Sequence, residues 1–238
     1  MNISILGTGR AGTSFERALR GAGHEVRLLR HDDLDHLGSP DLVLLCVPDG
    51  AVTAVADALP VSERYVVAHV AGSLNLGVLA GHERVASMHP LAALPSADIG
   101  ATRLVGATYC VAGDELVRDV VSSLEGRAIT IGDDRRTLYH ATAAVAANHL
   151  VALMGQVERL AEAAGLALED FLGLAVQALD DVRRVGPGEA LTGPASRGDM
   201  ATIDAHLAAI PDAERSTYVA MANAAFELSE HRRSQTPA

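Results

Sequence analysis

The stretch Asn2-Ile-Ser-Ile-Leu-Gly7-Thr-Gly9-Arg-Ala-Gly12 decides the fold. Its first five residues read as a short buried strand. The glycine pattern runs straight into a segment with Ala11, Phe15, Ala18, Leu19 and Ala22 on one helical face. Gly21 and Gly23 end that helix, and Val26 to Leu29 reads as a second strand. Gly-x-Gly-x-x-Gly alone is a weak signal. After a strand, opening a helix, within a unit of ~30 residues, it has the context of a dinucleotide site. Gly7 permits the tight turn, Gly9 lets the backbone approach a diphosphate, and Gly12 lets helix and strand pack closely. The backbone of Thr8, Arg10 and Ala11 completes the turn, and the N–H groups of the helix start face an anion.

Outward from this unit, the pattern repeats. Asp41-Leu-Val-Leu-Leu-Cys-Val47 is a nearly continuous apolar run, as in a parallel strand covered on both faces. Pro48 and Asp49 stop it, and a helix is expected from about Ala51 to Leu59. Tyr65–Val70, Arg84–Met88, Thr108–Val111 and Ala128–Ile131 read as further strands, with a helix from Asp114 to Leu124. Strands alternating with helices predict a parallel, doubly wound sheet.

From about Asp134 no strand is expected. Leu138, Thr142, Val145, His149, Ala152, Gln156 and Leu160 mark a long helix that Gly165 stops. It is Ala-rich around most of its circumference, which predicts burial within a domain or between subunits. A second helix over Leu168–Val185 ends at Gly186-Pro187-Gly188. A turn-rich element, a short helix over Thr202–Ala209 and a longer one over Asp212–Glu230 follow, with a polar, frayed tail from His231. The expected division is a dinucleotide-binding domain over 1–132 and an all-helical substrate and dimerisation domain over 133–238.

Composition narrows the function classes. The net charge of −11 argues against a nucleic-acid or anionic-membrane partner, since both need a basic surface. Trp is absent and aromatic residues are 3%, so the core is built from Ala, Val and Leu. Cys46 and Cys110 lie in apolar runs and read as small core residues, not a disulfide framework. No apolar run reaches the ~18 residues of a membrane helix. The chain opens on a core strand with no leader pattern. A cytoplasmic protein is expected.

Several residues are candidates for chemistry. After the second strand an NAD site usually carries an acidic group for the ribose 2′-OH. Here Arg30 and His31 stand instead, where a cation could pair with a 2′-phosphate, so NADP is favoured over NAD. Asp32 and Asp33 follow closely, and a shift of one residue would reverse that reading. Val47 and Pro48 end a strand at the carboxyl edge where open α/β sheets bind ligands, and could line the nicotinamide side. His69, Ser73 and His89 end the next two strands, so a proton donor could gather at the same edge. Each histidine taken alone reads equally well as structural. Asn148 lies within the long helix and could hold a substrate oxygen or bridge to another helix. Thr192, Arg197 and Asp199 could clamp an anionic substrate or lock a subunit interface. No metal site is expected, because the histidines lack ligand spacing.

The order of elements resembles the superfamily of 6-phosphogluconate dehydrogenase, 3-hydroxyisobutyrate dehydrogenase, ketopantoate reductase and pyrroline-5-carboxylate reductase. His69-Val-Ala-Gly-Ser73, Met88-His-Pro90, Tyr139-His-Ala-Thr-Ala-Ala-Val-Ala-Ala-Asn148 and Leu191-Thr-Gly-Pro-Ala-Ser-Arg-Gly-Asp199 with His206 are more specific. They resemble an uncharacterised family with a Rossmann-like domain and a C-terminal domain of unknown function. The resemblance covers nearly the whole chain. It implies a Rossmann doubly wound parallel sheet followed by an all-α domain, an NADP-dependent oxidoreductase and a homodimer, but no substrate. One departure matters. The hydroxyacid dehydrogenases of that superfamily carry a catalytic Lys about one turn before an Asn that Asn148 matches. Ala144 stands near the Lys position, and the chain contains no Lys. Lys-driven alcohol oxidation is thereby excluded. A His, the Ser73 hydroxyl, a Tyr such as Tyr139, or the substrate itself must supply the acid, which tilts the expectation toward C=N reduction. A nucleotide-sensing protein without turnover is the rival from another class, and hydride exchange with a second redox cofactor such as a deazaflavin is a weaker one.

Overall fold

The computed structural model describes residues 1–235. By its internal contacts the chain divides into two units, Met1–Ala147 and Asn148–Ala238. The first unit comprises β1 (Asn2–Leu6), α1 (Arg10–Gly21), β2 (Glu25–Leu29), β3 (Leu42–Leu45), α2 (Val52–Asp57) and β4 (Val66–His69). It continues through β5 (Val85–Pro90), α3 (Ala97–Leu104), β6 (Thr108–Gly113), α4 (Leu116–Ser123), β7 (Arg127–Ile129) and α5 (Arg136–Ala144). The sheet has seven strands in the order β2-β1-β3-β4-β5-β6-β7. The order in which strands are added reverses at β1, with β2 on one side and β3 on the other and all three parallel, so the loops after β1 and β3 adjoin at the sheet's carboxyl edge.

Side chains alternate across this sheet, as strand geometry demands. Leu42, Leu44, Val66, Ala68, Ala86, Met88, Tyr109 and Val111 face one core, closed by Phe15 and Leu19 of α1 and Val117, Val120 and Val121 of α4. Val43, Leu45 and Val67 face the other, closed by Val52, Val55 and Ala56 of α2. Burial on both faces explains the apolar run over 42–46.

One expectation for this unit changes. The sheet is not wholly parallel: β6 runs antiparallel to β5, with His89 opposite Cys110. The return is made by α3, which composition had hidden. Its mean polarity is even, and it is placed by packing on α1, where a Cβ on Gly100 would fall 2.0 Å from Ser14 Oγ. By internal contacts the first unit runs on through α5 to Ala147. α5 stays with the sheet because Arg136 is buried on it, donating from Nη2 to Ser87 Oγ at 2.6 Å.

The long helix is interrupted. Between α5 and α6 (Leu150–Ala163), residues Val145–His149 form one π-turn. The second unit continues with α7 (Glu169–Ala190), α8 (Gly193–Arg197), α9 (Met200–Ala209) and α10 (Asp212–Gln235). α7 extends past the expected stop because a kink at Gly186, φ +80°, lets a further turn follow Pro187. The turn-rich element is a short helix closed by Gly198 in the left-handed region, φ 71°. The tail is helical through Gln235 instead of frayed from His231, and its last residues lie outside the described ones. Gln156 Nε2 donates to Glu214 O at 2.9 Å and Arg159 Nη2 to Glu214 Oε2 at 3.0 Å, tying α6 to the start of α10.

Burial in the second unit is sparse. α7 has no buried residue and exposes Leu172, Leu174, Val176, Leu179, Val182 and Val185. In the first unit, Leu138 and Val145, which mark the long helix expected to be buried, are exposed at 69% and 56%. Among the described residues, no helix is long and apolar enough to cross a membrane.

Candidate active site

The glycine turn after β1 has three distinct environments. A Cβ on Gly7, whose φ is +120°, would fall 2.3 Å from Cys46 O. One on Gly12 would fall 1.8 Å from Gly7 O. These two glycines are required by the chain itself. Gly9 has nothing within 4 Å of its Cβ position. It is the N-cap of α1, makes no side-chain cap, and no acidic residue occupies the first turn. The free N–H groups there are a ready anion cradle, with open space at the glycine where a diphosphate backbone must come close. Val47 and Pro48 stand beside it, Val47 Cγ1 lying 3.3 Å from the Gly7 Cβ position. Arg30 is the first residue past β2. It is exposed and holds Asp32 with both Nε (3.1 Å) and Nη2 (3.2 Å), and exposed His31 lies between them. These residues fit a dinucleotide, and Arg30 has a carboxylate to exchange for a phosphate.

A second cluster occupies the same carboxyl edge. The face that carries Val67 and Val85 lower down continues as His69, Ser87 and His89, with Cys110 opposite His89. An apolar face thus turns polar at its end. α5 covers it with three side chains at i, i+3 and i+4, which share one helix face. Arg136 binds Ser87, the Tyr139 hydroxyl lies 2.7 Å from His89 Nδ1, and the ring of His140 meets His89 edge-on at 6.0 Å between centroids. Beside this, Ser73 donates to Asp49 Oδ2 at 2.7 Å.

Electrostatics follow from burial. His69 is fully buried, and neither ring nitrogen has a well-formed hydrogen bond. Burial and then the Arg136 cation lower its pKa to about 4. His89 is half-buried, and burial, then His140, lower it to about 4 while Asp49 opposes. Both rings are therefore neutral near pH 7. Burial raises Cys110 and Tyr139, which keep their protons. Among the described residues, no three His, Cys, Asp or Glu side chains converge as metal ligands would.

The sequence-marked residues thus fall into groups. The turn, Val47 and Pro48 are together at one edge, and His69, Ser73 and His89 gather at neighbouring strand ends. Arg136, Tyr139, His140 and Asp49 join them, and the i, i+3, i+4 spacing on α5 was the signal available. Asn148 lies exposed on the π-turn, a feature that often marks function. Asp199 caps α9, accepting from Thr202 N at 3.1 Å and Thr202 Oγ1 at 2.7 Å, while Thr192 is the N-cap of α8 and Arg197 ends it, exposed.

Fold and turn define a Rossmann-type chain with an all-helical second half. The chain belongs to the family described as a domain of unknown function (DUF2520), which matches residues 107–225. No curated protein matches it. Among solved structures it is similar to a candidate NADP oxidoreductase from Bacteroides fragilis (TM-score 0.80, 18% identity, 95% of this chain and 98% of that one). A Thermotoga maritima protein follows (TM-score 0.76, 20% identity, 97% and 99%). Another is a Plasmodium falciparum pyrroline carboxylate reductase with NADP bound (TM-score 0.64, 11% identity, 96% and 98%). At these identities the likeness shows a shared fold.

Proposed function

We propose that the protein is an NADP-dependent oxidoreductase of the cytoplasm, acting on a small polar carbonyl or imine. One observation carries this reading: the open Gly9 cradle and the neutral His89 share one sheet edge. NADP in the Plasmodium relative and in the description of the Bacteroides one supports the choice of cofactor. Bound there, NADPH would supply a hydride. The chain's own work is different. Gly7, Thr8, Gly9, Arg10, Ala11 and Gly12 hold the diphosphate, and Arg30 with His31 holds the 2′-phosphate. Val47 and Pro48 line the nicotinamide side. Ser73 and His89 orient the reducible group, and Asn148 on its π-turn holds a substrate oxygen. His69 is sealed in the sheet and shapes the electrostatics around His89 without touching substrate. Thr192 and Arg197 are left for an anionic substrate group, since Asp199 is spent on its cap.

We also assign a homodimer through the helical unit. Six large apolar side chains on α7 alone gain nothing by facing water, and a second copy of the same face is the simplest cover.

Titration with NADPH and NADH, followed by nicotinamide fluorescence, tests the cofactor. Tight NADPH with weak NADH supports the reading, and binding of neither overturns it. Asn148→Ala is expected to abolish turnover and leave nucleotide affinity nearly intact. Unchanged turnover removes that role.

A further inference from the structure

We propose that Asp49 is a further cofactor-binding residue: its carboxylate, oriented by Ser73, accepts hydrogen bonds from the ribose hydroxyls at the nicotinamide end of the dinucleotide. This role rests on the NADP reading above. It adds a polar contact for the half of the cofactor that the glycine turn and Arg30 do not hold.

One hydrogen bond at this edge has a fixed direction. Ser73 Oγ lies 2.7 Å from Asp49 Oδ2. A carboxylate has no proton to give, so the hydroxyl is the donor. The bond uses the one proton of Ser73 and one oxygen of Asp49. Asp49 Oδ1 keeps its lone pairs, and among the described residues Asp49 has no ion pair and no second side-chain hydrogen bond. The pair as a whole accepts hydrogen bonds and cannot donate one. Whatever binds it must bring O–H or N–H groups.

Place and charge select the donor. Asp49 directly follows Val47 and Pro48, the residues assigned to the nicotinamide side, in the loop between β3 and α2. Val47 adjoins the Gly7 turn. Gly72, one residue before Ser73, lies against the His89 ring, since a Cβ there would fall 2.8 Å from His89 Nε2. The acceptor pair therefore stands between the turn that cradles the diphosphate and the imidazole that orients the reducible group. The space beside it is open, because Gly50 has nothing within 4 Å of its Cβ position. A carboxylate here repels the diphosphate and the 2′-phosphate, so it does not serve the charged half of the cofactor. The uncharged ribose offers it two adjacent hydroxyls. In NAD sites an acidic side chain performs this task for the adenosine ribose. Here Arg30 takes that place, and the acid stands toward the opposite end. Ser73 retains its own lone pairs for the reducible group.

Calorimetric titration with NADPH and with adenosine 2′,5′-bisphosphate tests the assignment without turnover. The second ligand carries the 2′-phosphate but no nicotinamide riboside. Asp49→Ala is expected to weaken NADPH about tenfold, the size of one hydrogen bond to a charged group, and to leave the bisphosphate unchanged. Equal loss for both ligands, or none for NADPH, overturns the proposal. Unchanged bisphosphate binding also shows that the variant is folded. Ser73→Ala should cost less than Asp49→Ala, since the carboxylate survives and only its orientation is lost; a larger cost makes Ser73 the contact and overturns the role of Asp49. An NADPH analogue without the nicotinamide-side ribose hydroxyls should bind wild type and Asp49→Ala alike. If Asp49→Ala still weakens that analogue about tenfold, the carboxylate holds another group and the ribose assignment falls. Failure of the wild type to bind either ligand would sink the cofactor reading and this role with it, whereas NADPH binding indifferent to Asp49 sinks this role alone.

Discussion

The sheet unit and the helical unit solve the same problem in opposite ways. Residues 1–147 place nearly all of the buried apolar side chains, in two layers on either side of a seven-stranded sheet. In residues 148–238 the buried side chains are few, chiefly Gln156, Ala161, Ala195, Ile203, Glu214 and Ser229, while α7 turns its leucines and valines to water. A parallel sheet is closed by its own crossover helices. A set of helices that leaves an apolar face open needs something else to close it. The first unit can be understood from its own residues, and the second carries the face assigned above to the proposed homodimer.

The sharpest way to break that contrast is Gly12→Ala. The new Cβ meets a backbone oxygen, not a yielding side chain, and more than about 3 kcal/mol of stability should go, read by urea unfolding. Gly9→Ala separates folding from binding, because the space around it is empty. The same unfolding midpoint with at least tenfold weaker NADPH is expected, and a large stability loss would contradict the open cradle.

Acid should also distinguish the units. His69 is neutral when folded, with its pKa lowered to about 4, and takes a proton near 6.5 when unfolded. Its contribution is complete above about 6.5 and is lost as pH falls to about 4. That loss amounts to at most about 3 kcal/mol. Glu214, held below its ordinary 4.5 by the Arg159 hydrogen bond, acts in the helical unit at lower pH. Its stabilisation is present above 4.5 and lost as pH falls further. Unfolding midpoints at pH 7.5, 5.5 and 4.5 should drop before the Glu214 range is reached. A flat response would show that His69 is hydrated.

Next in size is the apolar face. Leu179→Glu should shift the protein toward monomer in sedimentation equilibrium, at about 2 kcal/mol per buried leucine lost. A wild-type monomer at all concentrations would end the dimer proposal. Smallest is Arg30→Ala, which should reduce the preference for NADPH over NADH about tenfold. Asp32→Ala should raise NADPH affinity, because it frees the guanidinium.

How far these features were legible depends on whether the signal is local. The glycine turn carries its reasons within twelve residues, so strand, turn and helix could be read directly. The polar end of the second sheet face could be half read. His69, Ser73 and His89 were visible as strand ends, but Arg136, Tyr139 and His140 sat in a helix whose apolar residues drew attention to the wrong side. Leu138 and Val145 look like a core stripe, yet the face that packs on the sheet is polar. The reversal of β6 left no mark either, since an inner strand is apolar in both directions. The π-turn is invisible to a 3.6-residue pattern because it changes the count by one.

The positions of the two cysteines offer a clock. Cys46 and Cys110 are both free, both buried and both in the first unit, while residues 148–238 contain none. A thiol reagent added in excess therefore marks the moment the sheet opens and is blind to fraying of the helices. The rate at which the two sulfurs are labelled would time the life of one half of the molecule without disturbing the other.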